Sequence, residues 1–166
     1  MVEYLAMSEP IDLSSADLTL AALFAGWAMA DEVQLRIAAG GMEDLRFADG
    51  FVFQHLVPGP LPISVLAERM AISQQAASKA VADLERRGYV ERVAGTEDAR
   101  VRNVSLTDRG HAAIESGRRH RDALEAELAG KLGQRRAESA RRVLAEIAAE
   151  LGADAAVRGR RVRPPR

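Results

Sequence analysis
Residues 73–102 carry side chains suited to hydrogen bonding along the base edges and phosphates of a nucleic-acid duplex. In the run SQQAASKAVADLERRG, a helix beginning after Ser73 places Gln75, Ser78, Lys79 and Ala82 on one face, with Gln74 at its exposed start. That face is short, polar and, apart from Lys79, uncharged, so the helix could approach base pairs closely. A Gln amide can form paired hydrogen bonds with an adenine edge, and Ser or Lys can reach a base or a phosphate. Ser73 occupies a cap position, and the unpaired N–H groups of the first turn suit a phosphate. Further along, GTEDARVRN brings Asp98, Arg100 and Arg102 within five residues. Phosphate would repel Asp98, whose expected part is to hold the tip backbone or a neighbouring Arg in place. Arg100 would then extend into a minor groove, where a narrow A/T stretch attracts guanidinium. A solvated helix face and an ordinary charged turn have the same composition, so these groups acquire meaning from the elements around them.

The pattern predicts a mainly α-helical chain with a small β-hairpin. A first helix is expected from Ser14-Ser15-Ala16-Asp17, with a hydroxyl as cap, through Leu20, Leu23, Trp27 and Ala30 to a stop at Gly40-Gly41. A second is expected to open at Glu43-Asp44, burying Leu45, Ala48, Val52 and Leu56, with Phe47, Phe51 and His55 on an adjacent stripe and Gly50 at mid-helix. Pro58-Gly59-Pro60 ends it. Leu61 reads as a very short strand, and Pro62 permits a helix start at Ile63 with Leu66, Ala67 and Met70 inward. Ala71-Ile72 makes a turn into the helix 74–87, whose apolar face is Ala77, Val81, Leu84 and Gly88. Residues 89–93 and 102–106 alternate like strands. Thr107 caps a long helix of about 37 Å, with Leu124, Leu128 and Leu132 at its later buried positions. Gly130 and Gly133 mark a break before a final amphipathic helix through Ala140, Val143, Leu144, Ile147 and Leu151.

Helix, tight turn, helix and arginine-tipped hairpin, in that order, resemble the MarR family of winged helix-turn-helix transcription regulators. The residues that carry the resemblance are LAERMAIS, QQAASKAVADLERRGYVER, the Glu-Asp-x-Arg tip and VSLTDRG. Asp98 and Arg100 match the Asp-x-Arg of the family's wing. Leu106, Thr107 and Gly110 match its LT-x-x-G, and Arg92 also matches. The match is strong over about 50 residues. Two departures are visible: Thr96 stands where a proline is usual near the wing start, and Ala99 replaces a frequent basic residue. The resemblance implies a homodimeric, DNA-binding regulator, a repressor by family habit, that responds to a ligand or a stress signal. It also implies a small aromatic or phenolic effector between the dimer helices and the winged lobe, where the candidates are Trp27, Arg46, Phe51 and His55.

The organisation that follows is a helical dimerisation region of 1–40 and 107–152, a DNA-binding lobe of 41–106 and a basic tail of 153–166. A long helix with leucines that a lobe of this size cannot cover calls for a second copy and a two-fold interface. Two such recognition helices would meet successive major grooves about 34 Å apart on a pseudo-palindromic site.

The net charge of −1 hides a gradient: residues 1–60 carry −7, 61–110 carry +1 and 111–166 carry +5. Cations gathered on one face can bind phosphate in a neutral protein, because screening limits repulsion to about 8–10 Å. The chain has no Cys, which excludes disulfides, thiol redox sensing and Cys-ligated metal. His55, His111 and His120 lack metal-ligand spacing. No nucleophile elbow, glycine-rich phosphate loop or metal motif is present, so no enzyme activity and no cofactor are expected. The apolar run 18–30 is too short to cross a bilayer, and a cytoplasmic location is expected. A winged-helix adaptor that binds protein rather than an operator is the alternative the residues leave open.

Overall fold
The computed structural model describes residues 15–94 and 102–153, so Asp98, Arg100 and all of the basic tail except its first residue lie outside the described residues. Helix α1 (Leu18–Ala39) is capped by the Asp17 carboxylate, which accepts the Leu20 N–H at 3.0 Å, rather than by a serine hydroxyl. A carboxylate there also meets the positive end of the helix dipole. Gly40 closes α1 and Gly41 turns the chain away with a φ of +91°.

The second helix begins later than its sequence suggests. Glu43 and Asp44 open a series of turns, and α2 (Asp49–Leu56) starts only at Asp49. Two tertiary contacts draw these turns away from helix. Leu45 is buried in the core, and the Asp44 carboxylate is taken by Tyr89 and Arg109. Ala48, expected inside, is therefore exposed, and Gly50 lies in the first turn of α2 rather than at its middle. Val52, Phe53, His55 and Leu56 form the buried side of α2.

Strand β1 (Leu61–Pro62) leads into α3 (Ile63–Met70), as the proline requires. Ala71 makes the turn at φ 52°, ψ 45°, a left-handed conformation unusual for a residue with a Cβ. Helix α4 (Gln74–Arg86) follows, with Arg87 as its C-cap. Strands β2 (Val90–Ala94) and β3 (Arg102–Leu106) pair antiparallel from Val90 opposite Leu106 to Ala94 opposite Arg102. β1 adds to the other edge of β3, with Leu61 opposite Val104, so the sheet order is β1-β3-β2. The core lies between α2, α3, α4 and this sheet, around Leu66, Val81, Leu84, Tyr89, Val90 and Val104.

Helix α5 (Asp108–Leu132) runs through Gly130 without interruption, and only Gly133, at φ +90°, breaks it before α6 (Gln134–Glu150). One glycine inside a helix costs about 1 kcal/mol and need not end it. α5 packs against α1 and α6. Arg36 of α1 grips Glu127 of α5 through two bonds of 2.7 Å. Large apolar side chains stay uncovered on α1 (Leu18, Leu23, Trp27), at the end of α5 (Leu132) and midway along α6 (Val143, Leu144). Among the described residues no helix is long and apolar enough to cross a membrane.

Candidate nucleic-acid interface
Helix α4 divides as its sequence divides. Ala77, Val81 and Leu84 are buried, which fixes the opposite side outward. Gln74, Gln75, Lys79 and Ala82 are exposed, and Ser78 is half-buried at the margin. The Ser73 hydroxyl accepts the Ala76 N–H at 3.1 Å and so starts the helix where Gln74 and Gln75 begin it. The acceptor side of that hydroxyl is used for folding, while its O–H remains chemically able to donate.

The wing is tied to α4 directly. Val90, Arg92 and Ala94 share one side of β2, and the Arg92 Nε donates to Glu85 of α4 at 3.1 Å. Among the described residues, Arg92 therefore ties strand β2 to α4 through Glu85. Arg102 is exposed at the far end of the ladder, opposite Ala94. Asp98 and Arg100 belong to the tip outside the described residues, between these two strand ends.

At its base the wing meets α5 through one compact joint. Thr107 donates its hydroxyl to the Gly88 carbonyl at 2.6 Å and accepts the Gly110 N–H at 3.1 Å. Its own N–H goes to the Tyr89 carbonyl at 3.1 Å. A Cβ at Gly110 would run into that same carbonyl oxygen, so only glycine lets α5 close onto β2. This gives LT-x-x-G a physical meaning.

Behind the polar face of α4 lies an ionic cluster that sequence reasoning missed. Arg87, at the end of α4, donates to both carboxylate oxygens of Asp49 at 2.7 and 2.9 Å. It also reaches Asp83 at 2.7 and 3.0 Å and the Asp44 carbonyl at 2.8 Å. The five bonds occupy the five N–H donors of the guanidinium. Arg109 of α5 donates to the Arg87 carbonyl and to the Asp44 carboxylate, both at 2.8 Å, and lies 4.5 Å from the centre of the Tyr89 ring. The Tyr89 hydroxyl donates to Asp44 at 2.7 Å. The Asp49 hydrogen bonds, helped by the charges of Asp49 and Asp83, outweigh burial, which acts the other way, and hold Arg87 firmly charged. Burial works to raise the Asp83 carboxyl, but the bonds and charge of Arg87, with Arg46 and Arg86, outweigh it and keep that carboxyl below its ordinary value. The Tyr89 hydrogen bond, with the charge of Arg109, lowers Asp44, while burial and Asp44 push the Tyr89 phenol up.

The four residues named as a small-molecule pocket are held by different neighbours. Trp27 meets Phe24 edge-on within α1 at 5.5 Å, and Phe51 meets Phe47 at 5.7 Å. Arg46 pairs with Asp83 at 3.2 Å, and His55 is buried in the last turn of α2. A separate crevice between α5 and α6, of about 320 Å³, is lined by Asp122, Glu125, Glu138 and Arg141 among others. Among the described residues no group of His, Cys, Asp and Glu could hold a metal ion.

Residues 50–101 match the sequence profile of the MarR family. No curated protein matches the chain by sequence. Among solved structures the chain is similar to the YusO protein from Bacillus subtilis, at 26% identity and a TM-score of 0.64, over 84% of this chain and 98% of that one. It is also similar in fold to the transcriptional regulator Tm0710 from Thermotoga maritima, at 18% identity and a TM-score of 0.59, covering 82% and 94%. A point mutant of S. aureus MepR bound to an oligodeoxyribonucleotide has a TM-score of 0.58 at 18% identity, covering 82% and 99%.

Proposed function
We propose that this chain, whose winged-helix segment belongs to the MarR family of transcriptional regulators, binds duplex DNA as a two-fold dimer and represses transcription from a pseudo-palindromic operator. The observation that carries this reading is the outward face of α4: Gln74, Gln75 and Lys79 exposed over a wholly apolar back of Ala77, Val81 and Leu84. Small polar groups at the helix start can read base edges, and the Ser73 O–H and first-turn N–H groups can meet a phosphate. Arg100 and Arg102 would supply minor-groove and phosphate contacts from the wing, with Asp98 holding the tip. The action is binding rather than catalysis. A second copy would cover the apolar side chains left open on α1, at the end of α5 and along α6, which supports the dimer.

The test is selection of bound sequences from random duplex DNA by the purified protein, followed by binding across a range of salt. A palindrome with half-sites one helical turn apart, and affinity falling steeply with salt, support the reading. A chain that selects no sequence and binds no duplex is instead the protein-binding adaptor.

Regulation by a small aromatic or phenolic effector is part of the proposal. Trp27 and Phe24, edge to face at 5.5 Å on α1, would present aromatic rings to such a ligand in the seam between the dimer helices and the winged lobe. The chain has one Trp, so quenching of its emission by a benzoate-type probe, together with release of bound DNA, would establish the effector. Such coupling needs unequal affinity of the ligand for two dimer shapes.

A further inference from the structure
We infer that Arg87 and Arg109 form an ionic strut that sets the angle between the recognition helix and the long helix, and through it the half-site spacing the dimer accepts. This rests on the DNA-binding reading above. The strut joins three separate parts of the fold. Arg87 caps the end of α4, Arg109 lies in the first turn of α5, and Asp44 and Asp49 belong to the turns before α2 and to its start. The bridges between them are the Arg87–Asp49 fork, the Arg109 bond to the Arg87 carbonyl, and Asp44, which receives Arg109 and Tyr89 on its carboxylate and Arg87 on its carbonyl.

Position makes this more than a stabilising contact. The strut grips the C-terminal end of α4, whereas Gln74 and Gln75 stand at its N-terminal end, 13 residues of helix away. That helix is a lever of about 20 Å, so a rotation of about 10° at the gripped end would move the reading end by roughly 3.4 Å, one base-pair step. α5 leads toward the apolar surfaces that a second copy would cover, so Arg109 links dimer geometry to helix angle. A guanidinium is required at Arg87 because its five donors in a planar fork meet acceptors on three sides, which an ammonium group cannot match. Neither arginine reaches the outward face of α4, so the strut acts through the helix it positions.

The experiment takes the full-length protein and the duplex it selects, and varies the half-site separation by one base pair in each direction. Arg87→Lys and Arg109→Ala are compared with wild type for affinity at each spacing, salt slope and thermal unfolding. The expected result is a loss of about ten-fold at the preferred spacing, little loss at neighbouring spacings, and an unchanged salt slope. Rescue of the spacing preference in Arg109→Lys relative to Arg109→Ala also supports the strut. Folded variants that keep the wild-type preference, or lose affinity equally at every spacing, overturn it. Arg109 is half-exposed, so its variants decide the case should Arg87→Lys fail to fold. Wild-type protein that selects no duplex overturns the DNA-binding reading itself, and the strut's role with it.

Discussion
Arg87 and Asp49 meet fork to fork, with two bonds of 2.7 and 2.9 Å between residues 38 positions apart. Their side chains are only 10% and 9% exposed, so little water can replace either partner. Removing Asp49 leaves two buried guanidinium donors unpaired, with Asp83 as the remaining carboxylate. Asp49→Ala is expected to lower folding stability by about 3 kcal/mol. Urea unfolding measures it, and a loss below about 1 kcal/mol would mean the pair is effectively solvated.

The joint at Gly110 predicts a steric failure. Gly110→Ala forces a methyl against the Tyr89 backbone, which cannot yield without moving β2. Overpacking of this kind costs about 1–3 kcal/mol. Hydrogen exchange should show the loss first in β2 and the start of α5, and uniform exchange across the chain would contradict the assigned role.

Substitutions on the two kinds of contact should separate. Gln75→Ala is expected to relax preference at one base position, at a cost of about 1–3 kcal/mol against the selected sequence. Lys79→Ala and Arg100→Ala should weaken binding to all sequences, the former also reducing the salt slope by about 1. Binding titrations over sequence variants and salt check both, and the same profile for Gln75 and Lys79 would argue against the division.

Stability should fall at both ends of the pH scale. Asp44 and Asp83 have folded pKa values below the ordinary 3.8, so the unfolded chain takes up protons first as the pH drops. Their contribution is present above pH 3.8 and is lost as pH falls through the lowered values. Tyr89 is raised above 10.0, so its contribution is present below pH 10 and lost as pH rises through the raised value. Ultraviolet titration of a Tyr4→Phe variant, in which Tyr89 is the remaining tyrosine, should show ionisation above the ordinary range. Ionisation at the ordinary value would remove the Asp44–Tyr89 bond from the account.

The dimer can be read from the single tryptophan. Trp27 is exposed in the single chain, so a covering second copy should shift its emission to the blue as concentration rises. Leu23→Glu, on the same open side of α1, should hold the protein monomeric and weaken binding to a two-half-site duplex far more than to a single half-site. Sedimentation that gives a monomer at every concentration would refute the two-fold arrangement.

Features that depend on neighbours in the chain were legible in the sequence. Ser73 and Thr107 cap their helices because the N–H they accept lies three residues on. The Ala77, Val81, Leu84 stripe follows from helical period alone, and so does the polar face opposite it. The two wing strands were likewise visible as alternation. What depends on residues far apart was not. Acidic residues suited to a helix dipole point to a helix start at Glu43-Asp44, but Tyr89 and Arg109, 45 and 65 residues away, take the Asp44 carboxylate and leave turns there. The pairing of Arg46 with Asp83, 37 positions away, likewise has no signal in the sequence. Nothing in the spacing of Arg87 or Arg109 marks them out, and only folding puts three acceptor groups around Arg87. Caps and stripes obey local geometry that any stretch of chain carries with it, whereas the partner of a charged side chain is chosen by whichever elements the core brings alongside.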